Sequence, residues 1–287
     1  MFVLPVLAIE IHIDPTMAEL GPFTLAWHGF FTAVGIIAGV WLAIRMARRR
    51  GLNPDIAQEI ALVGVPCAIV GARVFYAAEH WDSFSGDPLA IVTDITEGGI
   101  TLYGGLIGGV AGGLAYGLYR RLPVLAFLDA AAPGMILGQA IGRLGDIING
   151  EHRGTHSDLP WAVRYTHPNT LGDPGVSVHP TAGGYELLGD LVILAILLLV
   201  VARVARRPGW VFFWYGLLYA GLRASLSPLR MDEAGALGVA VPQLVGIGVI
   251  VATLGLGAFL VIRRSRPGEP NADSPPRSPA RRGDEPR

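Results

Sequence analysis

The residues Gly142-Arg143-Leu144-Gly145-Asp146-Ile147-Ile148-Asn149-Gly150-Glu151 gather an arginine, two carboxylates and a carboxamide beside glycine turns. They follow directly on a long apolar run, and charge at such a depth is costly without a partner or a function. A guanidinium presents a planar fork of N–H donors that matches phosphate oxygens better than a lysine point charge does. Arg143 is therefore a candidate to grip an anionic lipid headgroup, with Asp146, Asn149 and Glu151 placed to orient it or to bind headgroup hydroxyls. Arg223, four residues past Tyr219 in another apolar run, is its natural partner. The bland alternatives are a helix-end arginine snorkelling to the interface for Arg143 and an ion pair inside a helix bundle for Arg223. Arg73 sits in a third run beside Gly71, where pairing with Glu79 or an adjacent helix is a sufficient reason for it; shaping a headgroup site is its further role.

Other chemistries find less support. His152, His156, His167 and His179 share one polar loop with Glu151, Asp158 and Asp173. Their irregular spacing matches no metal-binding pattern such as H-E-x-x-H, so no metal is expected. The pairs Gly98-Gly99 and Gly104-Gly105 break helix ends and allow close backbone approach. No lysine follows them, so they are not a nucleotide-binding loop. Cys67 is the only cysteine and lies in an apolar segment, which excludes an intramolecular disulfide and points to an inert buried thiol.

The elements that must position these groups are membrane-length helices. Of 287 residues 52% are hydrophobic and 16% charged, and mean hydropathy is +0.48. These values belong to polytopic helical membrane proteins, and the 39 glycines suit helices that pack closely in lipid. The net charge of -1 is silent on nucleic acid, no basic domain exists, and no nucleic-acid partner is expected. Seven apolar stretches run roughly over 24–45, 59–79, 100–119, 124–142, 187–203, 210–226 and 241–262. Most reach the ~20 residues that cross a ~30 Å hydrocarbon core. The predicted fold is thus an all-α polytopic membrane protein with a small extracytoplasmic cap.

Orientation follows from the arginines. Arg45 and Arg48 to Arg50 follow the first stretch, Arg120 and Arg121 the third, Arg203, Arg206 and Arg207 the fifth, and Arg263, Arg264 and Arg266 the seventh. The alternate connections carry acidic residues instead. By the positive-inside rule the N-terminus is outside and the C-terminus cytoplasmic. The long outer connection, about 143–186, is then a cap, and Leu159-Pro160-Trp161-Ala162-Val163-Arg164-Tyr165 within it alternates like a strand. Residues 1–23 hold no lysine or arginine, so they do not read as a cleavable signal peptide. The expected division is a transmembrane domain over 1–263 and a disordered cytoplasmic tail over 264–287.

The chain resembles the prolipoprotein diacylglyceryl transferases, integral membrane enzymes of bacteria, from about Trp27 to the end of the seventh stretch. The block from Gly142 to Glu151 is close to that family's signature G-R-x-G-N-F-x-N-G-E. Further matching pieces are Gly71-Ala72-Arg73-Val74-Phe75-Tyr76, Gly98-Gly99-Ile100-Thr101-Leu102-Tyr103-Gly104-Gly105-Leu106, His179-Pro180-Thr181 before Tyr185-Glu186, and Tyr219-Ala220-Gly221-Leu222-Arg223. The resemblance implies transfer of the diacylglyceryl group of phosphatidylglycerol to the lipobox cysteine thiol of a prolipoprotein signal peptide, with release of glycerol phosphate. It places the chain in the bacterial cell membrane with its active site facing outward. No cofactor is expected, and the chain is expected to act as a monomer.

The chain departs from the family pattern at several places. Tyr103 stands where the family has a histidine, His28 where it has a tyrosine, Asp146 for the signature's first asparagine, and Ser227 for a glutamate. Ala182-Gly183-Gly184 puts three residues where two are usual. A thiol acceptor with pKa near 8.5 is mostly protonated at neutral pH and needs a base. Tyr103 fills that role only if arginines lower its pKa; His28 titrates in the right range. Asp146, three residues from Arg143, partly neutralises that arginine. Two alternatives follow: a diverged family member using another acceptor or lipid, and a non-catalytic lipid-binding or transport protein.

Overall fold

The structure, a computed structural model, describes residues 8–21, 23–93, 99, 101–151, 154–231 and 241–264. Its frame is a set of long helices. α1 (Trp27–Arg49) ends on Arg48 and Arg49, which suit the negative end of the helix dipole. α2 (Pro54–Glu79) starts on a proline behind Asn53, whose side chain accepts from the Asp55 nitrogen at 2.9 Å. Two single turns, α3 (Trp81–Phe84) and α4 (Ala90–Thr93), lead towards α5 (Leu102–Tyr119), capped by the Thr101 hydroxyl. α6 (Val124–Asn149) contains Pro133 and ends at Gly150, whose φ of +74° favours glycine.

A π-helical turn over Thr181–Glu186 opens the next helical run, α7 (Leu187–Ile196), a π stretch Leu197–Val201 and α8 (Ala202–Val204). α9 (Trp210–Leu226) and α10 (Val241–Arg264) complete the set. Each expected apolar stretch contributes a helix, although residues 24–26 at the start of the first are strand. Four helical runs, Trp27–Arg49, Pro54–Glu79, Val124–Asn149 and Gly183–Val204, are long and apolar enough to cross a membrane. The protein is a largely helical, multi-pass membrane protein. Large apolar side chains such as Ile37, Trp41, Leu62, Leu188, Val192 and Val251 face outward, as lipid solvation allows and water does not. The expected tail lies outside the described residues beyond Arg264.

One boundary differs from expectation. α6 does not stop at residue 142 but carries the motif through Asn149, so Arg143, Asp146 and Asn149 are buried helical residues rather than the start of a loop. Arg143 and Asp146 are held there by Glu186 and His28 on other segments. The cap is therefore shorter at this end.

Strands precede α1 and lie between α6 and α7 in sequence. β1 (Ile9–Ile11) pairs in parallel with β4 (Val163–Tyr165), which pairs antiparallel with β5 (Ser177–Val178). The alternating segment 159–165 thus contributes a strand as its pattern indicated. β2 (Thr16–Leu20) and β3 (Phe23–Ala26) form an antiparallel pair leading into α1.

Two helix pairs are closed by glycine. A Cβ at Gly35 would stand 2.6 Å from the Gly138 carbonyl oxygen, and Gly39 and Gly134 meet in the same way, so α1 and α6 touch backbone to backbone. Gly71 meets Gly104, and Gly108 meets the Cys67 carbonyl, between α2 and α5. A separate core of Ala132, Ile136, Ile193, Leu197, Val211 and Tyr215 joins α6, α7 and α9. Asp129 of α6, fully buried, accepts from the backbone nitrogens of Gly209 and Phe212, each at 2.9 Å, and from Arg50 at 3.3 Å. It therefore caps α9 from a neighbouring helix.

Candidate functional site

An apolar cleft of about 680 Å³ runs between the α1–α6 and α2–α5 pairs. Ile36, Val40, Ile60, Val65, Leu106 and Val110 are among its walls. Six of its titratable residues, His28, Arg143, Asp146, Glu151, Arg223 and Arg230, come from the end of α6, the start of α1, the last turn of α9 and the segments just beyond α6 and α9, and Glu79 of α2 also lines it. A long greasy channel with charge gathered at one part is the shape of a site for an anionic amphiphile.

The charges are organised around Glu186, a buried residue at the end of the π turn. Arg143 pairs with its Oε2; Arg223 and Arg230 share its Oε1, the latter at 2.9 Å. Three guanidiniums therefore converge on one carboxylate. Arg143 also donates to Asp146 Oδ2 at 2.8 Å, one helical turn on. Asp146 Oδ1 lies 2.8 Å from His28 Nδ1, and Glu151 Oε2 lies 3.5 Å from the same nitrogen. Asn149 Nδ2 donates to Glu151 Oε1 at 3.0 Å, while its backbone carbonyl accepts from Leu171 at 3.0 Å, so Asn149 ties the end of α6 to the following loop. Burial raises the Glu151 carboxyl above the usual carboxylate range, against the pull of His28. Burial likewise pushes the Tyr165 hydroxyl up to about 12, with the Asp146 charge adding to it.

Several predicted residues come together here and others do not. Arg143, Arg223, His28, Asp146 and Glu151 line one end of the cleft. Tyr219 is buried one turn before Arg223 and stacks on Tyr215, 6.2 Å between ring centroids. Arg73 does not pair with Glu79. Its guanidinium donates to the carbonyls of Ile91, Gly99 and Ala90 at 2.7, 2.9 and 3.1 Å and lies over the Tyr76 and Phe84 rings. Carbonyls of the α2–α5 connection thus satisfy it, because that segment folds back onto the helix. Tyr103 is the second residue of α5, and its side chain lies outside the described set. The loop histidines are dispersed: His156 lies 3.7 Å from Asp158, His167 lies 3.8 Å from Asp14 in the loop between β1 and β2, and His179 meets Tyr185 at 3.3 Å. His152 lies outside the described residues.

Reading the sequence missed three participants. Glu186 was visible only within a matching Tyr-Glu pair, and Arg230 and Asp190 not at all. Asp190, fully buried one turn past Glu186, is electrostatically coupled to Arg143, Glu186 and Arg223. Neither of its oxygens has a hydrogen-bond partner among the described residues. The available signal was a lone acid in an otherwise apolar run. His28, Asp146 and Glu151 bring three liganding-type atoms within 4.8 Å of one another. Arg143 occupies the second oxygen of Asp146, and the neighbouring guanidiniums oppose a further cation.

A buried arginine cluster thus lies at one part of an apolar cleft between membrane-length helices. The sequence model for prolipoprotein diacylglyceryl transferases matches residues 15–259. Relatives named phosphatidylglycerol–prolipoprotein diacylglyceryl transferase include one from Finegoldia magna, 36% identical over 79% of this chain and 88% of its own length. Others come from Bacillus mycoides, 34% identical over 88% and 93% of the two chains, and Bacillus cereus, 34% identical over 90% and 95%. The chain belongs to the prolipoprotein diacylglyceryl transferase family.

Proposed function

We propose that this protein transfers the diacylglyceryl group of phosphatidylglycerol to the lipobox cysteine thiol of a prolipoprotein, releasing glycerol phosphate. The observation that carries this reading is the convergence of Arg143, Arg223 and Arg230 on Glu186 beside the apolar cleft, in a chain of this family. The acyl chains occupy the cleft. The phosphate meets guanidiniums already held in place, so little reorganisation accompanies the growing charge on the leaving group. Arg143 and Arg223 are the phosphate clamp; Asp146, Asn149, Glu151 and Tyr219 shape the headgroup site, and Arg73 secures the α2–α5 connection beside it. His28 and Tyr103 are the candidates for the thiol base.

The arginine-rich ends of α1, α5, α8 and α10 support an extracytoplasmic N-terminus, cap and active site, seven membrane crossings and a cytoplasmic C-terminus. Residues 1–263 form the transferase domain on this reading. Incubating the purified protein with labelled phosphatidylglycerol and a lipobox peptide should give a lipidated peptide. No product, alongside an active family member, rejects the assignment. The Asp146–Arg143 pair supports a second reading, a changed lipid or acceptor, because it draws off charge from the clamp. Rescue of a bacterium depleted of its own transferase decides against that change.

A further inference from the structure

Gly145 lets α6 close onto the first turn of α1. A Cβ there would stand 2.5 Å from the Cα of His28 and 3.1 Å from its nitrogen, a space that side chains do not share. The closure sets the imidazole beside Asp146, with Nδ1 2.8 Å from Oδ1. The other oxygen of Asp146 accepts from Arg143 at 2.8 Å. In the tautomer that donates Nδ1–H to Asp146, His28 Nε2 carries the lone pair. No described group hydrogen-bonds Nε2, and the ring lines the cleft with 29% of its side chain exposed. Among the described residues, His28 is the one histidine on the cleft wall.

Resting on the transferase reading above, we infer that His28 is the catalytic base for the acceptor thiol and that Asp146 is its positioning residue. Nε2 takes the thiol proton. The sulfur attacks the lipid glycerol carbon, a C–S bond forms as the C–O bond to phosphate breaks, and glycerol phosphate leaves with the electron pair beside Arg143 and Arg223. The imidazolium then gives its proton to the departing phosphate, so that atoms and charge balance. The charged groups facing the ring are Asp146, Glu151 and Arg143. The two carboxylates accommodate the imidazolium, and Arg143, held by Asp146 and Glu186, opposes it. Two departures from the family signature, His28 and Asp146, thus form one device across a helix contact.

A selenocysteine acceptor separates a base from a merely structural residue, because a selenol ionises at neutral pH without help. The full chain in phosphatidylglycerol-containing micelles is given a lipobox peptide or its selenocysteine analogue. His28→Gln should lose on the order of 10²-fold or more in kcat/KM with the thiol and recover most of it with the selenol. Its pH–rate profile should lack an ionisation that the unaltered enzyme shows. Asp146→Asn should lower kcat with the thiol while KM for the lipid stays level or falls, because Arg143 gains freedom for phosphate. Full thiol activity in His28→Gln, equal loss with both acceptors, or a selenol-rescued loss in Tyr103→Phe instead overturns the inference. Failure of the unaltered protein to lipidate either peptide overturns the transferase reading itself.

Discussion

At the scale of single residues, the site depends on guanidinium geometry. Arg143→Lys or Arg223→Lys keeps the charge but loses the fork that meets two phosphate oxygens. Turnover should fall on the order of 10²-fold, as for loss of one transition-state donor, while membrane insertion is unchanged; a radiolabelled-lipid assay beside an expression blot checks both. Full turnover in both variants would dismiss the phosphate clamp. Glu186 behaves differently. It is the shared anion of three buried arginines, so Glu186→Gln leaves positive charge without its counter-ion. Breaking such a buried arrangement costs about 3–5 kcal/mol, and a lower thermal midpoint in detergent should accompany the loss of activity. Arginines in an apolar run mark themselves in the sequence, but nothing local says that Glu186 is what they share. That fact depends on three segments meeting.

At the scale of elements, glycine decides how closely the helices approach. Gly39 and Gly134 put backbone against backbone between α1 and α6, so Gly134→Val has to push the pair apart. Overpacking of this kind costs about 1–3 kcal/mol and should lower the thermal midpoint. Gly246 in α10, with nothing within 4 Å of its would-be Cβ, should accept alanine without loss. Asp129 supplies a contrasting element-level device. It satisfies backbone donors at the start of α9, where no side chain of α9 does so. Asp129→Ala should cost about 1–3 kcal/mol for each donor left buried, read as lower thermal stability with the site residues untouched. Denaturation curves matching the unaltered protein would show that solvent or lipid replaces the cap.

At the scale of the whole molecule, the prediction is orientation. In a Cys67→Ala background, Asn169→Cys places a thiol on the exposed cap and Asp55→Cys places one in the first turn of α2, next to the arginine-flanked connection from α1. A membrane-impermeant maleimide should label the first in intact spheroplasts and the second only after lysis. The reverse pattern would invert the protein and put the cleft's polar end in the cytoplasm. The lipid-facing surface and the apolar cleft are both hydrophobic, so only the polar cluster and the flanking arginines give the molecule a direction.

The amino-acid sequence alone was enough for the class and for the approximate place of each long helix, and it singled out Arg143 and Arg223, which the fold brings onto one carboxylate. The reason is local: a segment in hydrocarbon has to satisfy its own backbone donors and acceptors, so an apolar run of sufficient length becomes a helix wherever it packs. The end of α6 was misplaced because a polar motif looks like a loop until its partners are known. Which charges meet was decided by tertiary structure. His28 and Asp146 are 118 residues apart, and Arg143 finds Glu186 across a different helix contact. Ion pairing depends on distance and burial, and those are set only when helices with glycine-lined faces close on one another.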